Sequence, residues 1–232
     1  MVQEEIKKGD FVEIEYVGRI RDTEKVFDLT DAEVAKKEGI YRPDSKYGPV
    51  IICVGYRDVV SGLDDGLVGN KIGSEIELEV VPEKGFGKKK TELIRLVPLN
   101  IFTERGVRPV PGVQFSFDGV VGTVRSVSGG RILVDFNHPL SGKVLKYYVK
   151  IIRSIESDKE KVEGFLRNIL KDFSVEIRDG HAIIFAEIKE GFDKKLSEEI
   201  KKRIPTLKLV EFKKKSDGGE KKPIKKVTAS QK

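Results

Sequence analysis

The chain has 232 residues, of which 38% are hydrophobic and 35% are charged, enough for one large domain or for two to three small ones. No hydrophobic run approaches the roughly 18–20 residues that a membrane-spanning helix needs, and the N-terminus lacks the apolar segment of a secretory signal. We therefore expect a cytoplasmic protein. The single cysteine, Cys53, and the two histidines, His138 and His181, exclude a disulfide framework and a Cys-rich zinc site, so we expect no metal and no cofactor.

The net charge of +6 is concentrated at the C-terminus. Residues 201–232 contain 12 Lys and Arg against 3 Asp and Glu, whereas the preceding 200 residues contain 32 against 35. Residues 213–232 have few apolar side chains, and this composition predicts a disordered basic tail. A solvated tail is the simpler interpretation, and a weak contact with RNA or another polyanion is the alternative.

The first 88 or so residues have the pattern of a mixed α+β unit. Alternating apolar and acidic residues predict strands at residues 12–16 and 76–80, and a short apolar run predicts another at residues 51–54. Residues 59–67 carry Val and Leu at helical spacing, which predicts a short helix between two strands. Residues 31–38 predict a further helical turn, closed by a glycine.

The composition then changes to short β-like runs separated by prolines and glycines. Residues 123–128 and 131–136 flank a Gly-Gly pair, which predicts a hairpin. The strongly alternating stretch at residues 145–151 resumes the pattern of the first unit. We therefore predict an all-β module, residues 89–137, inserted into a domain that consists of residues 1–88 and 138–157.

A third unit begins near Ser157. Ser157 and Glu160 form a capping box, and apolar residues from Val162 to Phe173 follow one helical face. A hairpin around Asp179-Gly180, a second helix and a last strand complete a predicted α-β-β-α-β domain, residues 158–212.

This third unit has more apolar surface than its own helices cover. The first helix is expected to expose part of its apolar stripe, and the hairpin has a second apolar face that carries Ile183 and Phe185. The body of the protein, a client chain or a second copy of the domain are the possible partners. Because two-fold contacts are the commonest, we predict a homodimer.

The sequence has no pattern typical of nucleophilic catalysis or phosphate binding. Cys53 lies in an apolar strand and is expected to be a small core residue. No nucleophile elbow, Walker loop or dinucleotide fingerprint is present. His138 lies in a turn-like sequence, FNHPLSG, where we expect a structural hydrogen bond.

Several short motifs occur in a fixed order along the first unit. Tyr16 lies in IEYVGRI and Phe27-Asp28 in VFDLT; Val59-Val60-x-Gly62-Leu63-x-x-Gly66 and Pro82–Gly87 follow. In this order and spacing, they resemble the FKBP-type peptidyl-prolyl cis-trans isomerases. The insertion and the return sequence NHPLSGKVLKYYVKII resemble the SlyD-like branch with its insert-in-flap (IF) domain. With its C-terminal extension, the chain resembles the long archaeal FKBPs.

The resemblance implies an α+β fold: an antiparallel half-barrel around a short helix, an inserted all-β IF domain and a C-terminal α/β extension. It implies an apolar pocket between sheet and helix, in which Leu63 replaces a family Trp and Phe86 lacks the usual hydroxyl. Matching positions give Tyr16, Phe27, Asp28 and Tyr147 as catalytic residues and Ile52, Val59, Val60, Leu63 and Phe86 as substrate-binding residues.

The implied activity is isomerisation of prolyl bonds in unfolded or partially folded polypeptides, which accelerates proline-limited folding. Rotation about the bond faces a barrier of ~18–20 kcal/mol, because resonance gives it double-bond character. A water-poor apolar pocket favours the twisted amide without any proton transfer. The inserted domain is expected to act as a holdase. The alternative is a peptide-binding chaperone with vestigial isomerase activity, associated with ribosomes or RNA through the basic tail.

Overall fold

The computed structural model describes residues 4–117, 119–189 and 191–214, and the side chain of Phe117 is not among the described atoms. Two compact units divide the chain, Met1–Ile155 and Glu156–Lys232. Within the described residues, no helix is long and apolar enough to cross a membrane. The predicted basic tail lies outside the described residues from residue 215 onward.

The first unit alternates strands with a few short helices, and the predicted mixed α+β class is confirmed. The strands are β1 (Phe11–Ile20), β2 (Val26–Leu29), β3 (Val50–Cys53), β4 (Glu75–Val80), β5 (Ile94–Pro98), β6 (Gln114–Phe117), β7 (Val120–Ser128), β8 (Arg131–Asp135) and β9 (Leu145–Ser154). The helices are α1 (Ala32–Lys37), α2 (Ser61–Leu67) and α3 (Leu99–Thr103).

Five of these strands form one antiparallel sheet, in the order β2-β1-β9-β4 with β3 also paired to β1. The alternation of apolar and charged residues decides which face is buried. Ile14 and Ile151 are paired and fully buried on the inner face. The next pair in the register, Glu13 and Arg153, forms an ion pair on the outer face. The inner face packs against Leu63 and Leu67 of α2.

Helix α2 lies close to β4 because two of its residues are glycines. A Cβ atom on Gly66 would lie 2.7 Å from Leu78 Cδ1, and one on Gly62 would overlap Val80 Cγ1. The helix begins at Ser61, so the predicted placement of Val59 and Val60 inside it is wrong. Val60 has an extended backbone, and both valines pack against the core from the segment that leads into the helix.

The inserted module has its own sheet, in the order β5-β8-β7-β6. The predicted hairpin is confirmed, since β7 and β8 pair across the Gly129-Gly130 turn, where both glycines have positive φ. The module also contains α3, which the sequence analysis missed because five residues are too few for helical periodicity. The helix places Phe102, fully buried, in a core completed by Phe115, Val124, Ile132 and Val134.

Two buried polar residues join the segments that enter and leave this module. Asp135 accepts hydrogen bonds from Lys89 Nζ at 2.9 Å and from the backbone and side-chain N–H groups of Asn137. Asn137 exchanges two hydrogen bonds with the backbone of Lys90. Burial acts to raise the pKa of Asp135, but the hydrogen bonds from Lys89 and Asn137 outweigh it and hold this pKa below its usual value.

The second unit has the predicted α-β-β-α-β order of elements. They are α4 (Asp158–Arg167), β10 (Phe173–Arg178), β11 (His181–Ala186), α5 (Phe192–Arg203) and β12 (Leu209–Lys213). β10 and β11 form the antiparallel hairpin around Asp179-Gly180, and β12 pairs parallel to β11. α4 contacts β10, and α5 contacts β12.

The predicted helical face from Val162 to Phe173 is wrong in its second half. Ser157 caps α4 as expected, but the helix ends at Arg167 and Phe173 begins β10. The chain reverses direction between these elements, so the continued apolar spacing does not reflect a helix. The apolar side chains of α4, namely Val162, Phe165 and Leu166, are buried and do not form the exposed stripe that the sequence predicted.

Candidate active site

Four aromatic rings from separate parts of the first unit meet on the inner face of the five-stranded sheet. Tyr16 from β1 and Tyr147 from β9 lie edge to face, with ring centroids 5.8 Å apart. Phe27 from β2 lies edge to face with Tyr147 at 5.7 Å and with Phe86 at 6.1 Å. Edge-to-face contacts favour fixed ring orientations, so the four rings form a preformed apolar surface, the aromatic cluster.

Gly18 makes room for the aromatic cluster. It lies opposite Tyr147 in the pairing of β1 with β9, two residues after Tyr16. A Cβ atom at this position would lie 2.8 Å from Phe27 Cζ and 3.0 Å from Tyr147 Cε1. Any larger residue would displace one of these rings. Gly18 was not among the predicted site residues; its place directly after Tyr16-Val17 was the available signal.

Asp28 is exposed, and Tyr16 holds its carboxylate at the edge of the aromatic cluster. The Tyr16 hydroxyl donates a hydrogen bond to Asp28 Oδ2 at 3.0 Å. Burial, and after it the Asp28 charge, raises the pKa of Tyr16 well above its usual value, and burial likewise raises the pKa of Tyr147. Both hydroxyl groups therefore stay protonated at neutral pH, which makes them neutral hydrogen-bond donors.

The floor of the site comes from the segment that leads into α2. Asp64, fully buried, accepts hydrogen bonds from the N–H groups of Gly55 at 2.8 Å and Arg57 at 3.0 Å. These bonds fix the turn after β3, and the turn directs Val59 and Val60 towards the core. Ile52, Leu63 and Tyr147 are each only 1% exposed, so they support the site from below.

Phe86 is held by the segment that returns from the inserted module. His138 stacks on its ring, with centroids 4.6 Å apart. The Leu140 N–H donates a hydrogen bond to His138 Nδ1 at 3.2 Å, which confirms the structural hydrogen bond predicted for this histidine. The Ser141 hydroxyl donates to the Phe86 carbonyl at 3.0 Å. Sequence reasoning missed both contacts, because the two segments are separated by the whole inserted module.

The structure brings all nine of the predicted site residues into one region of the first unit. Eight of them belong to a single apolar cluster, and the ninth, Asp28, joins it through Tyr16. Among the described residues, no group of three or more His, Cys, Asp and Glu side chains could hold a metal ion. Cys53 is buried. The aromatic cluster, with the Asp28 carboxylate at its edge, is suited to holding an apolar ring.

The first unit is an antiparallel sheet around a short helix, and its aromatic cluster carries two neutral phenols with the Asp28 carboxylate at its edge. This is the architecture of a class of proteins that bind apolar peptide segments. The family model for the FKBP-type peptidyl-prolyl cis-trans isomerases matches residues 2–95, and the model for the FKBP26 IF domain matches residues 95–140. Both matches end before the second unit begins.

Three curated relatives match parts of the chain. A short-type peptidyl-prolyl cis-trans isomerase of Methanocaldococcus jannaschii is 33% identical over 146 residues, which are 63% of this chain and 92% of the relative. The isomerase SlyD of Haemophilus influenzae is 29% identical over 49% of this chain and 62% of its own length. The FKBP-type 16 kDa isomerase of Escherichia coli K12 is 27% identical over 56% of this chain and 85% of its own length.

The chain belongs to the FKBP-type peptidyl-prolyl cis-trans isomerase family. It is an isomerase of this type with a SlyD-like inserted domain. Among solved structures, the three FKBP domains of wheat FKBP73 align with a TM-score of 0.36 at 14% identity, over 68% of this chain and 43% of that chain. The assignment rests on the family models and the curated relatives.

Proposed function

We propose that this isomerase accelerates proline-limited protein folding, with the aromatic cluster as its catalytic centre and the inserted module as a holdase. Its partners are unfolded or partially folded polypeptides that contain proline. The first part of the proposal rests on the geometry of the site, and the second part rests on the surface of the inserted module.

The catalytic part follows from the electronic structure of the amide. A twisted prolyl amide has lost its resonance and much of its charge separation. A dry aromatic surface therefore stabilises it relative to the planar, polar ground state. Phe27 and Phe86 hold the proline ring, Tyr147 supports the ring of Phe27, and Tyr16 with Asp28 orients the local field. No residue has to gain or lose a proton, which agrees with phenols that stay protonated.

The observation that carries the holdase proposal is the set of exposed aliphatic side chains on the inserted module. Leu96, Val120 and Val121 are 59%, 54% and 50% exposed, and Val110, Val113 and Val127 are exposed as well. Single apolar residues are common on protein surfaces. Six of them on one small module is an unusually large number, and we infer that the module binds other apolar chains.

Not every apolar residue of the module is exposed. Phe115 is buried against Phe102, with ring centroids 4.8 Å apart. A module this small needs its large aromatic residues for its own core, so the exposed set consists of aliphatic side chains. The side chain of Phe117 lies outside the described residues.

Rates on a prolyl tetrapeptide and on a refolding protein test whether the aromatic cluster and the inserted module have separate roles. We expect the triple variant Leu96→Ser, Val120→Ser and Val121→Ser to isomerise a prolyl tetrapeptide at the normal rate. Its catalysis of a proline-limited refolding reaction should fall about tenfold, as expected when about 1.4 kcal/mol of binding free energy is lost. Its suppression of aggregation should weaken in parallel. The variant Val68→Ser with Val81→Ser, which changes exposed residues outside the module, is the matched control.

Two outcomes would contradict the proposal. If tetrapeptide and protein substrates lose activity equally, the module merely completes the fold. If the wild-type protein, shown to be folded, exchanges the tetrapeptide no faster than buffer, the site is vestigial and the chain is a peptide-binding chaperone.

We also propose that the second unit forms a homodimer. In β11, Ala182 and Ile184 are buried beneath the helices, and the alternate residues Ile183 and Phe185 lie on the opposite face. A sheet face that carries apolar side chains needs a second layer, and a two-fold contact supplies it with a copy of itself.

Sedimentation of the full chain and of a chain ending near residue 156 tests this proposal. We expect a dimer for the former and a monomer for the latter, with tetrapeptide activity retained in both. A full-length chain that sediments as a 26.1 kDa monomer contradicts it.

A weak contact between the basic tail and a polyanion is also proposed, on composition alone, because residues 215–232 lie outside the described residues. Salt-dependent retention on immobilised RNA, lost when the tail is removed, would support it. A cytoplasmic location stays a prediction.

A further inference from the structure

A groove of about 660 Å³ adjoins the aromatic cluster at Phe27. It lies between β2 and the loop that follows α1, and its size is within the range of ligand-binding pockets. Ile40 contributes to its apolar part, and Lys25, Arg42 and Lys46 contribute cations. Phe27 and Asp28 line the groove and also belong to the candidate active site.

We propose that this groove binds the client segment next to the prolyl bond and prefers an acidic side chain there. The inference rests on the proposed function, because it assigns part of the client to a surface beside the catalytic centre. We call this surface the β2 groove; it comprises the residues named above together with Tyr47.

The wall of the β2 groove is preformed. The rings of Tyr41 and Tyr47 are stacked, with centroids 5.2 Å apart. The Arg42 N–H donates a hydrogen bond to the Tyr47 hydroxyl at 2.9 Å, and the Gly48 N–H donates to the Thr30 carbonyl at 2.8 Å. These contacts close the loop on itself and tie it back to the end of β2. A binding surface that is already ordered loses little conformational entropy when a peptide binds.

The charge of the β2 groove points to an acidic occupant. Lys25 and Arg42 form no ion pair with any residue that the structure describes. Glu38, at the start of the loop, is paired with Arg19 at 2.6 Å and does not line the groove. Asp28, which does line it, accepts the hydrogen bond from Tyr16. The groove therefore presents two cations without acidic partners, and a client carboxylate would complement them.

The β2 groove is continuous with the aromatic cluster, and this determines which part of the client the groove can contact. Phe27 belongs to both surfaces, so a proline ring against Phe27 places its neighbouring residues at the entrance of the β2 groove. An extended chain advances about 3.3 Å per residue. A carboxylate two to four residues from the proline is therefore about 7–13 Å from it along an extended chain, and the peptide series determines which of these positions reaches the rim.

A peptide series tests the inference. The peptides carry Glu, Gln or Lys at two, three or four residues before or after a Leu-Pro bond, and kcat/KM is measured for each. At one or more positions we expect Glu to exceed Lys by about fivefold at low salt, the effect of one to two exposed ion pairs. The difference should shrink in about 1 M salt, because screening removes such contacts.

Reversing the charge of two groove residues tests whether the preference for Glu peptides arises in the β2 groove. The variant Lys25→Glu with Arg42→Glu should reverse the preference, so that Lys peptides become the better substrates. The variant Lys194→Glu with Lys201→Glu changes two exposed cations of α5 and has the same net charge. It should keep the wild-type preference, which separates the groove from a general effect of net charge.

Two results overturn the inference. If all peptides are isomerised faster than in buffer but Glu and Lys peptides do not differ, the β2 groove does not select charge, and the proposed function stands. Calorimetric affinities for the same peptides test the groove without turnover, and equal affinities for Glu and Lys also overturn it. If no peptide is isomerised at all, it is the proposed function that fails.

Discussion

His138 and Phe86 lie face to face, with ring centroids 4.6 Å apart and ring planes only 2° from parallel. One ring belongs to the segment that leaves the inserted module, and the other belongs to the segment that precedes it. Phe86 in turn lies edge to face with Phe27. A side chain outside the aromatic cluster therefore determines where one wall of that cluster lies.

The first prediction concerns His138 as a positioning residue. We expect His138→Ala to raise KM for a prolyl tetrapeptide about threefold with little change in kcat, because a stacking contact contributes about 0.5–1.5 kcal/mol. The variant His138→Phe keeps a ring on Phe86 and should restore KM. An equal rise in KM in both variants would show that the ring contact does not determine KM. Steady-state kinetics at fixed pH make the comparison.

The second prediction concerns Phe27, which is only half-buried and can be removed without opening the core. We expect Phe27→Ala to lower kcat/KM about tenfold or more, since the contact with the proline ring is lost. Phe192→Ala, at an exposed position of α5, is the control and should leave the rate unchanged. Tyr147→Ala is a poorer test, because Tyr147 is buried and its removal would cost about 3–5 kcal/mol of stability.

The third prediction concerns Gly18. The variant Gly18→Ala should lower kcat/KM, because the added Cβ atom forces Phe27 or Tyr147 out of position. We expect a destabilisation of about 1–3 kcal/mol, typical of an overpacked site. Gly9→Ala, where a Cβ atom meets no other atom within 4 Å, controls for backbone strain, since Gly9 has positive φ. Unchanged activity in a folded Gly18→Ala protein would mean that the ring positions are not critical.

The fourth prediction concerns Asp135, whose pKa is held below the ordinary value of 3.8. The folded state therefore binds this proton less readily than the unfolded state does. The resulting stability is present above about pH 4 and is lost as the pH falls through the folded-state pKa. We expect Asp135→Asn to lower the free energy of unfolding by about 1–3 kcal/mol at neutral pH. Urea denaturation at several pH values should show that this loss of stability shrinks in acid. A loss that is constant with pH would argue that the charge of Asp135 does not strengthen its hydrogen bonds.

The fifth prediction concerns Tyr16, whose pKa is raised above the ordinary value of 10.0 by burial and by Asp28. Above about pH 10 the unfolded state loses this proton before the folded state does, so the stability of the protein falls as the pH rises. We expect Tyr16→Phe to flatten this decline, because the variant has no phenol at this position. Urea denaturation between about pH 9 and pH 11 measures the slopes of the wild-type protein and the variant. Identical slopes in wild type and Tyr16→Phe would contradict the prediction.

The sequence predicted four of the five strands of the first sheet. Alternation of apolar and polar residues, as at Glu13 and Ile14, predicted β1, β4 and β9, and a short apolar run predicted β3. It did not predict β2, which has only four residues. It did not predict α3, whose five residues are shorter than two helical turns. Nor did it predict the end of α4, since apolar residues continue past Arg167 into β10 at a spacing that still fits a helix.

The sequence predicted which residues form the candidate site, but it did not predict which residues contact one another there. The resemblance to the FKBP-type isomerases identified Tyr16, Phe27 and Tyr147. Alternation predicted the strands that carry Tyr16 and Tyr147, but no pattern predicted β2, which carries Phe27. The stacking of His138 on Phe86 depends on how two distant segments meet, and no local pattern records it. The rim of the β2 groove is likewise formed by exposed charged residues, which have no periodicity to distinguish them.

The segments that enter and leave the inserted module run side by side. The Gly142 N–H donates to the Gly87 carbonyl at 2.8 Å, and Asn137 is bonded to Lys90. These contacts attach the module to the sheet next to Phe86. A displacement of the module would therefore act directly on the segment that carries Phe86, which forms one wall of the aromatic cluster.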